Sequence, residues 1–346
     1  MHFFAPLLFP LAWLWQMITA IRARMYASGL QRRIQFDIPT VVVGNLQAGG
    51  SGKTPMIEYL IRQYSLHRPV AVISRGYGRK TRGFILAGEQ STPDQIGDEP
   101  FQMFHKFGEK VPFAVGEERI LAIPSLLAER PETELIFLDD AFQHLPLQAK
   151  TYILLSEFSR PFFKDYPFPV GYLREGRGAA KRADLLIFTK CPEYLGELEQ
   201  ADFCKKAQAY LRPGTWIGFT SIEYHWTLEE VDTYWLVSGL ANPAYFSEAA
   251  KAKVNVIGES HFSDHHDYNE QDVLGIINQV KSKSNGKSTA ILTTEKDYHK
   301  LNKPEFKHLW AENQIARVES RCRFLNSGME KEFLEKLNSL VEAKSA

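Results

Sequence analysis

One short stretch limits the fold of this chain more than any other. The apolar run Ile38-Pro-Thr-Val-Val-Val43 reads as a buried strand, and residues 54–65 read as a helix. Between them lies Gly49-Gly50-Ser51-Gly52-Lys53-Thr54. A glycine-rich turn from strand to helix is the setting of a phosphate-binding loop. Glycines let backbone N–H groups point into the turn where a Cβ would clash, and the helix start adds roughly half a positive charge. Lys53 is placed to reach the β- and γ-phosphates of a nucleotide, and the Thr54 hydroxyl to ligate Mg²⁺. The strict pattern has a glycine five residues before Gly52, where this chain has Gln47. The glycine is displaced to Gly49 or Gly44, so an atypical loop shape is expected. The plain alternative is a glycine-rich turn with no ligand.

The flanking sequence fits the same architecture. Residues 69–74, 135–138, 152–155 and 185–188 read as short apolar strands, with helices over 101–107 and 119–129. Strands alternating with helices imply a parallel sheet covered on both faces. A second alternation starts near residue 232, with strands at 234–237, 254–257 and 290–293. Its helices are opened by Asn242-Pro243 and Asn269, with a last one over 329–340. The reading is an α/β chain in three parts. Residues 1–36 are an N-terminal hydrophobic and basic helix associated with a membrane. Residues 37–225 are a phosphate-loop domain with a mostly parallel sheet flanked by helices. Residues 226–346 are a smaller α/β domain. The boundary is soft, near 215–230. Residues 156–182, rich in Pro, Gly and Arg, read as a long functional loop.

Charge adds a constraint that the averages conceal. With 44% hydrophobic and 24% charged residues, disorder, collagen-like repeats and a polytopic membrane protein are excluded. Lys+Arg and Asp+Glu are both 41, so the phosphate-neutralising excess of a nucleic-acid binder is missing. Three widely spaced cysteines, Cys191, Cys204 and Cys322, imply neither a disulfide framework nor a zinc site. Yet residues 1–36 hold four arginines (Arg22, Arg24, Arg32 and Arg33) and no acid, leaving −4 on the remainder. Residues 3–21 are uncharged and include Trp13 and Trp15. The charges follow the apolar run, unlike those of a cleaved signal peptide. Pro6 and Pro10 are expected to interrupt a helix there, which argues against a spanning segment. An interfacial helix with arginines on an anionic leaflet is expected; the alternative is a buried first helix of the core.

Several polar clusters are candidates for chemistry. Asp139 and Asp140 end the strand 135–138 and are placed to serve Mg²⁺, although strand-end aspartates also cap helices. Thr189-Lys190-Cys191-Pro192 follows a strand where many GTPases read guanine, but proline stands where an aspartate is needed, so adenine is the expected base. Arg75, Arg79, Lys80 and Arg82 surround Tyr77 and suit an anionic substrate, or else a solvated loop. Asp98 is either a base for a substrate hydroxyl or a helix N-cap. Arg119 and Arg174 are placed to clamp phosphate charge. Asp264-His265-His266-Asp267 is dense enough for a metal or acid–base site, with the acting ring left open and a structural histidine as the plain alternative.

Taken together, these segments resemble the tetraacyldisaccharide 4′-kinase family over nearly the whole chain. The resemblance rests on Val43-Gly-Asn-Leu46 leading into Gly49–Pro55, Ser74-Arg-Gly-Tyr-Gly78, Gly97-Asp-Glu-Pro100, Asp139-Asp-Ala-Phe-Gln-His144, Leu173-Arg-Glu175, Ser238-Gly-Leu-Ala-Asn-Pro243, Phe262-Ser-Asp-His265 and Thr294-Glu-Lys-Asp297. It implies a phosphotransferase with an alcohol acceptor: the ATP γ-phosphate goes to the 4′-hydroxyl of a tetraacylated glucosamine disaccharide 1-phosphate, in lipid A biosynthesis. The expected place is the cytoplasmic face of the bacterial inner membrane, as a peripheral, monotopic protein with no obligate protein partner. By match to the family's motifs, Lys53 and Thr54 hold ATP and Mg²⁺, Asp98 is the base working with His265, Arg75, Arg119 and Arg174 stabilise phosphate charge, and Asp139 and Asp140 serve the metal. The chain departs from the family at Ala141, where glycine is usual, and at Ser51, where threonine is common. Two other readings stay open. A soluble ATPase or GTPase of the metallochaperone type would not need residues 1–36, and a non-catalytic nucleotide-binding module would not need Asp98 or His265.

Overall fold

The computed structural model describes residues 5–240, 242–264, 266–310 and 314–343. The chain groups into two units, Met1–Ile222 with Cys322–Ala346, and Glu223–Arg321. The first unit opens with helix α1 (Ala5–Ala27). Strand β1 (Thr40–Asn45), helix α2 (Lys53–Tyr64), β2 (Val70–Ser74) and β3 (Ile85–Leu86) follow. Next come α3 (Pro93–Ile96), α4 (Asp98–Phe107), β4 (Phe113–Val115), α5 (Arg119–Glu129), β5 (Leu135–Asp139), β6 (Thr151–Glu157), β7 (Leu185–Thr189), α6 (Glu197–Gln208) and β8 (Trp216–Thr227). The second unit carries β9 (Thr233–Ser238), α7 (Ala244–Lys253), β10 (Val256–His261), α8 (Glu270–Lys283), β11 (Thr289–Thr294), α9 (Glu295–Leu301) and β12 (Ile315–Phe324). Helix α10 (Ser327–Glu342) ends the chain. The unit boundaries fall inside β8 and β12.

In the first unit the strand order is β8-β7-β6-β1-β5-β2-β4-β3, and every pairing but β3 with β4 is parallel. β1 is buried along its whole length, as expected of a central strand covered on both faces. Strand alternation divides its valines between two cores. Val41 and Val43 join Met56, Ile57 and Leu60 of α2, while Val42 joins Ile123 and Leu126 of α5. In the second unit the order is β10-β9-β11-β12, all parallel. Trp235 and Val237 face one core and Tyr234 and Leu236 the other.

Two sequence expectations change. The domain reading placed residues 226–346 together, but α10 packs within the first unit. Phe333, Leu337 and Val341, four residues apart on one helix face, join the core of Val41 and Met56. Tyr59 and Tyr64 of α2 donate to Glu330 Oε1 at 2.8 Å and Asn338 Oδ1 at 2.6 Å. The second change is in α1, which runs unbroken through Pro10 for 23 residues. Pro10 lies in the second turn of the described helix and removes a single helical bond, which the rest of the helix tolerates. Among the described residues no helix is long and apolar enough to cross a membrane.

Candidate functional site

Sheet order fixes where the site lies. β1 sits between β5 and β6, so the chain leaves the sheet in opposite directions on either side of it. Ligands of such sheets bind beyond the carboxyl ends of the strands at this switch point. Residues 46–52 leave β1 there, Ser74-Arg75 leave β2, Asp139-Asp140 leave β5, and Thr189 ends β7. The sequence candidates of the first unit are thus gathered at one edge.

The loop is built with backbone only glycine adopts easily. Gly49 and Gly52 have φ +114° and +82°, and Gly52 is the left-handed N-cap of α2, with Lys53 as first helical residue. Gly44, the other candidate for the displaced glycine, lies in β1, where a Cβ would meet Phe142 Cβ at 2.6 Å. Gly49 therefore supplies the glycine of the loop. Gln47 explains the departure from the strict pattern: it is 3% exposed and its amide donates to Arg160 O at 2.9 Å and Asp165 Oδ2 at 2.8 Å. It bolts the loop to the segment 160–173. On the other side, Thr189 Oγ1 donates to Ser51 O at 2.9 Å, so the segment compared with guanine-reading motifs braces the loop. Gly50 lies beside Lys190, which pairs with Glu157 at 3.5 Å. Ser51 Oγ is buried and without a hydrogen-bond partner.

The acidic pair differs strongly between its two members. Asp139 is 2% exposed; its Oδ2 accepts from Ser74 Oγ at 2.9 Å, while Oδ1 is buried without a partner. Burial pushes its carboxyl above the usual range, helped by Glu99 and Asp140 and opposed by Lys53. Asp140 is also pushed up by burial, but Lys53 and Arg174 outweigh this and hold it low. Lys53 Nζ lies 3.8 Å from Asp140 Oδ1, and Arg174 Nη1 donates to both carboxylate oxygens at 2.9 and 3.0 Å. Asp140 takes a left-handed backbone, φ 46°, so Ala141 needs none of glycine's freedom and packs in the core. Thr54 follows Lys53 in the first turn of α2 and is half-buried. Thr54, Asp139 and Asp140 are hard oxygen donors, and a buried carboxylate oxygen lacking a donor is what a small divalent cation satisfies.

The arginine expectations separate. Arg75 is exposed beyond β2. Arg79 instead pairs with Glu117 and Lys80 with Asp94 at 2.7 Å. Arg119, expected as a phosphate clamp, is 2% exposed and donates to the carbonyls of Gly116, Glu117, Asp139 and Asp140. Burial lowers its pKa to about 10 against the pull of Asp139 and Asp140. Its guanidinium is spent on pinning the Asp139–Asp140 turn. Asp98 is the first residue of α4 and not its N-cap, which is Gly97. Gly97 has φ 89° and lies so close to the Arg75 loop that a Cβ would meet Tyr77 O at 2.9 Å and Gly76 Cα at 3.1 Å. This backbone contact packs the start of α4, where Asp98 lies, against the loop that follows Arg75.

Sequence reading missed three neighbours. Ser74 holds Asp139, Glu99 adds its charge to Asp139, and His144 stands near Arg119, Arg22 and Arg75. The His-144 signal was present in the motif ending there, but nothing in spacing showed that burial and these cations lower its pKa to about 4. In the second unit, His265 lies outside the described residues. His266 Nε2 meets Asp272 Oδ2 at 2.9 Å, and its ring stacks on Phe262 and meets Tyr268 edge-on. Asp297 of the Thr294–Asp297 motif accepts from Gly239 N at 2.9 Å and Thr294 Oγ1 at 2.8 Å, joining two loops of that unit.

Comparison with known proteins adds an independent line. The family model described as tetraacyldisaccharide-1-P 4′-kinase matches residues 4–340. A tetraacyldisaccharide 4′-kinase of Flavobacterium johnsoniae is 38% identical over 312 residues, covering 87% of this chain and 88% of its own length. One from Flavobacterium psychrophilum is 36% identical over 357 residues, covering 100% and 99%. The crystal structure of LpxK from Aquifex aeolicus in complex with ATP has the same fold, with TM-score 0.74, 24% identity, and coverage of 97% of this chain and 99% of that one.

Proposed function

The chain belongs to the tetraacyldisaccharide-1-P 4′-kinase family, and from that premise we infer that it transfers the γ-phosphate of ATP to the 4′-hydroxyl of a tetraacylated glucosamine disaccharide 1-phosphate, a step of lipid A biosynthesis. The observation that carries the reading to the atoms is the junction of Lys53, Asp140 and Arg174 at the end of β1 and β5. Phosphoryl transfer asks a protein chiefly for positioning and charge stabilisation. Lys53 carries the positive charge at the phosphate loop, where Gly49, Gly50, Ser51 and Gly52 turn backbone N–H groups toward a bound triphosphate. Arg174 is held ready by Asp140 and by its own N–H bond to Leu46 O at 2.7 Å. Arg75 is the exposed cation for the transferred group. Arg119 acts through the turn it pins and not by touching phosphate.

Asp98 receives the proton of the acceptor hydroxyl. His265 is assigned to the same acid–base step by family resemblance. Mg²⁺ would be held by the Thr54 hydroxyl with Asp139 and Asp140 and would neutralise charge between the β- and γ-phosphates. The Asp139 oxygen without a donor supports this assignment.

The same reading places the protein on the cytoplasmic face of the bacterial inner membrane through α1. Support comes from α1 itself: Phe9, Leu11, Trp13, Trp15, Ile18 and Ile21 are exposed, and Arg22 and Arg24 follow them. Replacing Asp98 with Asn tests the mechanism. Turnover falls by about 10²–10⁴-fold, the span of general-base assistance, while ATP affinity is retained. Loss of nucleotide binding in Asp98→Asn would show that Asp98 serves the nucleotide or the fold instead.

A further inference from the structure

The segment between β6 and β7 has a surface that the kinase chemistry does not use. From Phe158 to Arg182 it holds six basic residues and two acids, Asp165 and Glu175. Both acids are turned inward. Asp165 accepts from Gln47 Nε2, Tyr166 N and Tyr172 N, and Glu175 takes both arms of Arg182. What faces solvent is of one kind. Lys164, Tyr166, Phe168 and Tyr172 are exposed, while Asp165 and Pro167 between them and Leu173 after them are buried. Phe168 is 61% exposed. Arg160 lies over the Tyr172 ring at 4.2 Å and Arg177 over Tyr166 at 5.0 Å.

We propose that the loop from Lys164 to Tyr172 is a second bilayer-contact element beside α1, seating Tyr166 and Phe168 in the headgroup layer of an anionic leaflet. Aromatic rings interleaved with cations, with every acid withdrawn, are complementary to that layer and to little else in water. The loop is continuous with the exposed apolar face of α1. Phe9 meets Tyr166 edge-on at 5.6 Å, and Gly176 lies so close to Gln16 that a Cβ would stand 2.9 Å from its Cγ. Trp15 Nε1 donates to Arg174 O at 3.0 Å, so both elements are tied to the residue that holds Asp140. Two contact elements set the height of the phosphate site above the lipid, where one helix alone would leave it free to roll. The proposal rests on the membrane reading of α1.

Flotation with vesicles of phosphatidylethanolamine and phosphatidylglycerol tests it, using the full chain. Phe168→Ser is expected to lower the partition about tenfold, and Tyr166→Ser with Phe168→Ser further, as removal of an inserted ring does. Phe168→Trp is expected to float like wild type. Turnover on detergent-dispersed substrate and the melting temperature stay unchanged for Phe168→Ser, because its ring is not part of the core. If Phe168→Ser and the double variant both float like wild type, the loop does not face a bilayer and the proposal fails. It also fails if Phe168→Ser loses turnover in detergent as fully as it loses flotation, which would assign the ring to the site itself. Failure of the kinase reading looks different: wild-type protein that floats but transfers no phosphate.

Discussion

Substituting Gly97 with Ala isolates the backbone contact between the start of α4 and the loop that follows Arg75. Two effects are expected, and they can be separated. The first is backbone strain. Gly97 holds φ 89° and ψ 154°, a region that essentially only glycine occupies, so Ala there costs about 1–3 kcal/mol of stability. The second is displacement. The new Cβ meets Tyr77 O at 2.9 Å and the Gly76 carbonyl carbon and Cα at 3.1 Å, all backbone atoms that cannot rotate away. The Arg75 loop and the start of α4 must part by several tenths of an ångström. Misplacement approaching 1 Å costs about 10²-fold in rate, so a fall of about 10- to 10²-fold in kcat is expected, with KM for ATP little changed. Gly83→Ala is the control: its φ is +79°, yet nothing lies within 4 Å of a Cβ there. It carries strain without displacement. Steady-state kinetics and thermal melts on both variants make the test. If Gly97→Ala loses no more kcat than Gly83→Ala, the close approach at Gly97 does not position the site.

Three further outcomes follow from the same geometry. Trp15→Phe keeps the ring but removes the donor to Arg174 O, so kcat is expected to fall several-fold, within about 0.5–1.5 kcal/mol, while ATP KM holds; unchanged kcat would uncouple α1 from Arg174. Gln47→Gly restores the strict loop pattern but strips the donor from Asp165 and from Arg160 O, and a loss of about 1–3 kcal/mol is expected in a denaturant titration; equal stability would refute its role as an anchor. His144 is lowered from 6.5 to about 4 by burial and by Arg119, Arg22 and Arg75, so the unfolded chain binds more protons between those values. The contribution of His144 to stability is therefore full above about pH 6.5, declines as pH drops toward 4, and is level below that. Allowing for partial exposure, the decline is on the order of 1–2 kcal/mol and is absent in His144→Gln; an equal decline in the variant would exclude His144 as its source.

What the sequence made legible follows from where chemistry is local. β1, α2, β2, α5 and β5 lie within a few residues of their expected bounds, because continuous apolar strands and a glycine-rich turn are short-range signals. β8 and β12 were missed, although in β8 the run Ile222 to Thr227 alternates apolar and polar residues and its burial alternates with them; β12 has no such regular pattern. α10 was found as a helix but assigned to the wrong unit, since its partner surface on α2 lies some 270 residues earlier in the chain. Lys53, Thr54, Asp139 and Asp140 come from one motif and one strand end, and their placement at the carboxyl edge of the sheet is what those short-range signals imply. Arg119 was not readable as a pin, because residue type alone cannot tell a guanidinium aimed at phosphate from one consumed by four carbonyls. The inward turn of Asp165 and Glu175 was equally hidden, and with it the one-sided surface of the segment they support.

The central claim is transfer of the γ-phosphate to one hydroxyl of an acylated disaccharide. Purified protein incubated with γ-labelled ATP, Mg²⁺ and tetraacylated glucosamine disaccharide 1-phosphate, followed by separation of the lipid and location of the label by NMR, measures it directly. A singly labelled lipid with the new phosphate on the 4′ oxygen is expected, with about 10²-fold or greater loss of that product in Asp98→Asn. Folded protein that binds ATP and releases only inorganic phosphate, or that labels another hydroxyl, would contradict it.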